Sequence, residues 1–298
     1  MKNRFVLILV VVLALVGTLP VVGAQDGPFR VAAVAPSATN DLAFSQSMYD
    51  ALLAIQEEMG ADNFEFVFQE GTFVVDDAAV AIGEWAASGE YDLIIAHGSQ
   101  YGSVVEEIAP RFPEISFAWG TDVNTFGLDN VYAYTPAANE GGFINGVMAG
   151  LMTESGVIGV IGPIEVGDAK LYVDGFKEGV AASNPDAQVL VTYIQSFSDV
   201  PLATEAANAH IANGADILTG TAQMVVGPIA VAKENGARWF GTQSSQAELA
   251  AEAGVMFQVY HWEVILRDMI ANIQAGTLGG ESYVLTLQNG GLVMESSK

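Results

Sequence analysis

The chain has 298 residues, with 10 Lys and Arg against 35 Asp and Glu, a formal net charge of −25, and no cysteine. So few cations exclude nucleic-acid binding, which needs clustered basic side chains against phosphates. An apolar share of 51% excludes a disordered acidic tail, and the missing cysteines exclude a disulfide framework, a thiolate metal site and a cysteine nucleophile.

Lys2 and Arg4 open the chain, and residues 5–16 form an unbroken apolar run of 12. Thr18, Leu19 and Pro20 break it, and Val22-Gly23-Ala24 offers small residues for a cut after Ala24. This is the order of a secretory signal over residues 1–24. The run is shorter than the roughly 20 residues of a membrane span; an uncleaved anchor is the alternative. No cysteine follows it to carry a bacterial lipid. The remainder is expected to be exported, on the periplasmic or extracellular face of the cell membrane.

Short β-rich runs then alternate with helical stretches. Residues 31–35 read as a strand ending in Pro36-Ser37. Phe44, Met48, Leu52, Ile55 and Met59 follow at steps of four, four, three and four, one face of a helix. Strand patterns at 64–68, 92–96 and 115–119 alternate with helical ones at 80–87 and 104–109. The grammar restarts with a helix over 140–153, in which Gly142, Gly146 and Gly150 recur every fourth residue. Strands at 157–161, 189–194, 217–220, 238–242 and 255–260 alternate with helices at 169–183, 202–213, 227–234 and 262–275. Repeated β-α units predict parallel sheets covered by helices on both faces.

Two α/β lobes of similar plan follow. The first takes residues 25–134 plus 258–285, the second 135–257 plus 286–298. The strand at 131–134 carries the chain across, and that at 255–260 carries it back, giving a hinged clamp. In open α/β sheets ligands sit beyond the carboxyl ends of the strands, so the loops at 36–46, 97–102, 119–126, 162–170, 195–200, 219–228 and 241–247 are expected to line a cleft. Lys170 is the one cation in them. Phe44, Tyr101, Phe197, Asn40, Gln223 and Gln243 stand there with Asp41, Asp122 and Asp199. An uncharged, flat, hydrogen-bonding ligand suits this inventory better than a phosphate or carboxylate.

Plainer roles compete for each. Phe44 continues the apolar stripe of its helix. Asp41 and Asp199 precede helices and are placed to cap them. Trp262 opens a helix and is a candidate for hinge packing, and His97, at a strand end, for a structural histidine. Enzyme signatures are poor: His97, His210 and His261 form no H-x-x-x-H pair, and no G-x-S-x-G elbow or Walker loop is present. No catalytic residue, metal or cofactor is expected, and the chain is expected to act as a monomer.

Ordered motifs resemble the basic membrane protein family, the purine-nucleoside-receptor-like binding proteins of ABC importers. Asn40-Asp41-Leu42-Ala43-Phe44-Ser45-Gln46 is similar to that family's D-D-x-S-F-N-Q stretch. Glu140-Gly141-Gly142-Phe143-Ile144-Asn145-Gly146 resembles its E-G-x-(Y/F)-L-x-G helix start. The run from Ala149 to Gly159, then Gly175-Phe176, Asn184-Pro185, Ser196-Phe197-Ser198-Asp199 and Gly214-Ala215-Asp216 continue the match, and Tyr260-His261-Trp262 resembles a W-x-W segment of one branch. The resemblance spans 29–292. It implies a type I periplasmic-binding-protein fold, and a purine base or nucleoside stacked between Phe44 and Phe197. It places Asp41 and Asp199 near the base and Glu140 near a sugar hydroxyl. It also implies delivery of the small-molecule ligand to an ABC permease.

The departures bear on the sugar. Asn40 and Ser45 replace an Asp and an Asn of the motif. Phe240-Gly241-Thr242-Gln243 lacks the Asp of I-G-V-D, and Glu263 falls where a Lys is usual. Ribose recognition is therefore weakened, and a free base or another flat heterocycle stays open. The chain stops soon after Met294, before a final helix that the resemblance leads one to expect. A ligand sensor of the same fold, for another heterocycle, a flavin or a sugar, is the alternative; a secreted nucleoside hydrolase ranks below it.

Overall fold

The computed structural model describes residues 27–297; the targeting segment read over 1–24 lies outside them. The first sheet is built from β1 (Phe29–Val34), β2 (Phe64–Gln69), β3 (Leu93–His97), β4 (Ser116–Gly120), β5 (Val131–Pro136) and β11 (Ser282–Leu285). The strands lie in the order β2-β1-β3-β4-β5-β11, all parallel. The second contains β6 (Val157–Gly162), β7 (Gln188–Tyr193), β8 (Ile217–Gly220), β9 (Arg238–Gly241), β10 (Gly254–Tyr260) and β12 (Leu292–Ser296). Its order, β7-β6-β8-β9-β10-β12, repeats the first, with β12 alone antiparallel.

The helices are α1 (Phe44–Met59), α2 (Val75–Ser88), α3 (Gly102–Ile108), α4 (Ala138–Met152), α5 (Gly167–Ser183), α6 (Val200–Ala212), α7 (Val226–Glu234), α8 (Gln246–Ala250) and α9 (Glu263–Gln274). The stripe on α1 does what its spacing requires: Met48, Leu52 and Ile55 are buried. Sequence reading gave no strand at β11 or β12 and no helix at α8.

The chain passes between the sheets three times. It leaves β5 for α4, which packs on α5 and β10; it leaves β10 for α9, which packs on α1; and residues 286–291 join β11 to β12. β5 stays in the first sheet to Pro136 and β10 in the second to Tyr260, so positions 134 and 258 lie inside strands. The passages follow Pro136 and Tyr260, where strand pairing ends. One core cluster runs through the crossings, joining Met48 and Tyr134 to Tyr172 and Phe176 around Trp262.

The α4–α5 contact explains the glycine spacing. A Cβ on Gly146 would run into the Phe176 carbonyl, and one on Gly179 into that of Phe143. The helix backbones touch directly, which holds α4 against the second sheet.

Candidate ligand-binding site

Both sheets reverse direction from their first strand, β1 between β2 and β3, and β6 between β7 and β8. At such a switch point the flanking loops part and leave a crevice at the strand ends. The two crevices face each other. Between them lies a cavity of about 570 Å³, counting space open to solvent. All seven anticipated loops reach it, and Phe73 and Tyr260 complete the lining.

Phe44 enters from the first sheet. Its ring stacks on His97 at 3.9 Å between centroids and 9° from parallel, with Trp262 edge-on at 5.8 Å. Ring pairs of this kind contribute about 0.5–1.5 kcal/mol beyond their buried area. His97 is fully buried, its Nε2 is 3.1 Å from the Phe44 carbonyl and its Nδ1 is 2.9 Å from the Tyr134 hydroxyl. A carbonyl only accepts, so Nε2 carries the proton and Nδ1 accepts from Tyr134. Burial lowers the His97 pKa to about 3, the Phe44 carbonyl opposing this in part. The imidazole is neutral and both nitrogens are engaged. Phe197 enters from the second sheet, in the loop between β7 and α6.

The polar lining is uneven. Asp41 receives the backbone N–H groups of Ala43, Ser45 and Gln46 at 2.9–3.2 Å and the Gln223 side-chain N–H₂ at 3.1 Å. The Gln223 Oε1 is buried and has no partner among the described residues. Leaving such an acceptor unpaired costs about 1–3 kcal/mol. Asp168, in the first turn of α5, receives the Thr121 hydroxyl at 3.2 Å and, at a long 3.5 Å, that of Tyr260. Burial raises the Asp168 pKa, with the Thr121 hydroxyl and nearby backbone amides pulling against it. No Lys or Arg lines the cavity among the described residues. Lys170 points to Glu165 and Asp174 instead. An anionic ligand would meet the Asp168 carboxyl group without compensating charge.

Of the residues singled out in sequence, Phe44, Phe197, Gln223 and Gln243 line the cavity together. The others do not. Asn40 is exposed. Asp41 caps the start of α1, its side chain spent on backbone amides and Gln223. Ser45 is buried, its Oγ accepting from the Ser37 N–H. His97 lies behind Phe44. Tyr101 is buried with its hydroxyl on Thr72. Asp122 is exposed and accepts from the amides of Val123 and Asn124. Glu140 receives the Leu287 N–H at 2.7 Å, in the last crossing between the sheets. Asp199 caps α6 through the Leu202 N–H at 2.9 Å. Trp262 is buried at the hinge, its indole N–H on the Ser47 hydroxyl at 2.8 Å. At several of these positions the side chain is engaged in capping or packing: Asp41 and Asp199 on helix starts, Glu140 on Leu287 and Trp262 on Ser47. Sequence reasoning passed over Asp168, Thr121, Thr221, Thr242 and Phe73. Asp168 carries a signal, a carboxylate inside an anticipated cleft loop; Phe73 lies in the loop after β2, outside the seven anticipated ones.

A family model described as "ABC transporter substrate-binding protein PnrA-like" matches residues 29–298. The chain belongs to this family, Bmp. Among curated Bmp-like relatives, a purine-binding protein of Brucella abortus is 29% identical over 216 residues, 72% of this chain and 61% of that protein. The chain thus spans less than two thirds of that relative's length. An ABC transporter solute-binding protein of Conexibacter woesei superposes with a TM-score of 0.74 at 25% identity, covering 91% of this chain and 89% of that one. One from Aeropyrum pernix superposes at 0.81 and 23% identity, covering 90% and 77%. Two mostly parallel α/β sheets facing across a hinge are the periplasmic-binding-protein architecture of this Bmp chain. Among the described residues, no helix is long and apolar enough to cross a membrane.

Proposed function

We propose that this chain is an extracytoplasmic solute-binding protein that captures a neutral purine, as base or nucleoside, between its two lobes and delivers it to an ABC permease. One observation carries the reading. Phe44, backed by His97, and Phe197 line one cation-free cavity from opposite sheets. Two aromatic faces on separate lobes suit a flat ring, and burying it between them rewards closure only when both lobes touch it. The name of the Brucella abortus relative supports the same ligand class.

The free base is the better fit of the two. Gln243 stands where a carboxylate would serve a ribose, and Glu263 is paired with His261 at 2.7 Å. No hydrolysis is proposed, since His97 has neither nitrogen free to act as a base. A thermal-shift panel of adenine, guanine, hypoxanthine and their nucleosides tests the reading. Stabilisation by at least one purine is expected. No shift with any of them overturns it.

A further inference from the structure

We infer that Gln223 is a specificity residue that presents a fixed hydrogen-bond acceptor to the ligand, and that Asp41 is the positioning residue that fixes it. The inference deepens the proposed function and rests on it. An amide side chain can turn either end to a ligand, so its preference is ordinarily undetermined. Here it is determined. The Asp41 carboxylate takes three N–H groups from the start of α1 and has only acceptor atoms to offer. Gln223 must therefore turn its N–H₂ to Asp41, at 3.1 Å. Its Oε1 is then turned from Asp41, buried without a partner among the described residues, on a side chain that lines the cavity.

The two residues are 182 positions apart, one in a loop of each sheet. The acceptor is thus aimed when the lobes are together. A ligand that brings an N–H to Oε1 satisfies a group that otherwise remains unpaired, and one that brings a lone pair meets repulsion. Asp168 lines the same cavity and is likewise an acceptor where ionised. The ligand class is accordingly a neutral flat heterocycle with an N–H or amino donor on its edge. Rings whose edges carry only acceptors or methyl groups are rejected.

Calorimetric titration of the full chain tests this. The probes are adenine, 6-methylpurine (amino replaced by methyl), 9-methyladenine (ring N–H replaced), uracil and 1,3-dimethyluracil. We expect adenine to bind at least about tenfold tighter than one of the two methyl analogues. Gln223→Met should weaken adenine to the level of that analogue and leave the analogue itself within about threefold. Asp41→Asn, which lets the amide turn, should reduce the same preference. Equal binding of adenine and both analogues, or equal weakening of all three by Gln223→Met, overturns the inference while the purine reading stands. If no purine binds but uracil does, and dimethyluracil does not, the purine reading fails and the acceptor role holds. Binding of none of the five overturns both. Thermal melts of each variant without ligand separate a folding defect from a binding one.

Discussion

The Phe44 ring lies flat on the His97 imidazole, 3.9 Å between centroids, and the same imidazole receives the Tyr134 hydroxyl at 2.9 Å. His97 is thus the stiff backing of one wall of the cavity. It is also a group whose neutrality is enforced by burial, and this makes it titrate in a measurable way.

Its pKa is about 3 in the fold against the usual 6.5. Between these values the unfolded chain holds the extra proton. The stabilising contribution of neutral His97 is therefore complete above about pH 6.5 and falls as the pH drops below it. The slope is about 1.4 kcal/mol per pH unit from this group alone. Asp168 and His261, whose pKa values are raised, act in the opposite sense. Comparison with His97→Gln removes these shared contributions. Urea unfolding near pH 7.5 and near pH 5 should show the wild type losing about 2 kcal/mol more than the variant. Equal losses would mean that His97 is not held neutral.

Phe197→Ala should weaken purine binding by about 1–3 kcal/mol, a factor of about 5 to 150, the usual worth of one aromatic face against a base. Phe197 is half-buried in a loop, so the melting temperature of the ligand-free protein should change little. Titration of wild type and variant with adenine is the check.

Asp199→Ala is expected to lower stability by about 0.5–2 kcal/mol through the lost cap on α6. Purine affinity should stay within about twofold, because Asp199 lies off the cavity. A large affinity loss with an unchanged melt would instead return Asp199 to the binding site.

Much of the fold was legible because buried parallel strands are short apolar runs and α1 has a clean stripe. β11 and β12 were not, because they are edge strands that stay partly exposed and carry polar residues such as Ser282, Glu295 and Ser296. α8 is too short to show a period. In the site, the switch-point rule located all seven loops, and Phe44 and Phe197 stood out as aromatics there. What sequence could not resolve was the choice between a cap and a contact. Asp41 and Asp199 have the same local signature, yet Asp41 also reaches Gln223, a relationship set by the docking of the lobes and by nothing local.

Gly146→Ala tests the helix pair that anchors the second lobe. Helix propensity alone would favour Ala by about 0.8–1 kcal/mol. The added methyl would strike the Phe176 carbonyl, and backbone cannot rotate away. A net destabilisation of about 1–3 kcal/mol is expected in chemical unfolding, against a gain if α4 and α5 were loosely packed.

The proposed function requires a neutral purine in the space between Phe44 and Phe197. Mass spectrometry of small molecules released by denaturing the protein as purified from cells addresses it most directly. A purine base or nucleoside is expected near one equivalent per chain, absent from a Phe44→Ala, Phe197→Ala double variant that still folds. A sugar or a phosphorylated nucleotide at that stoichiometry would contradict it.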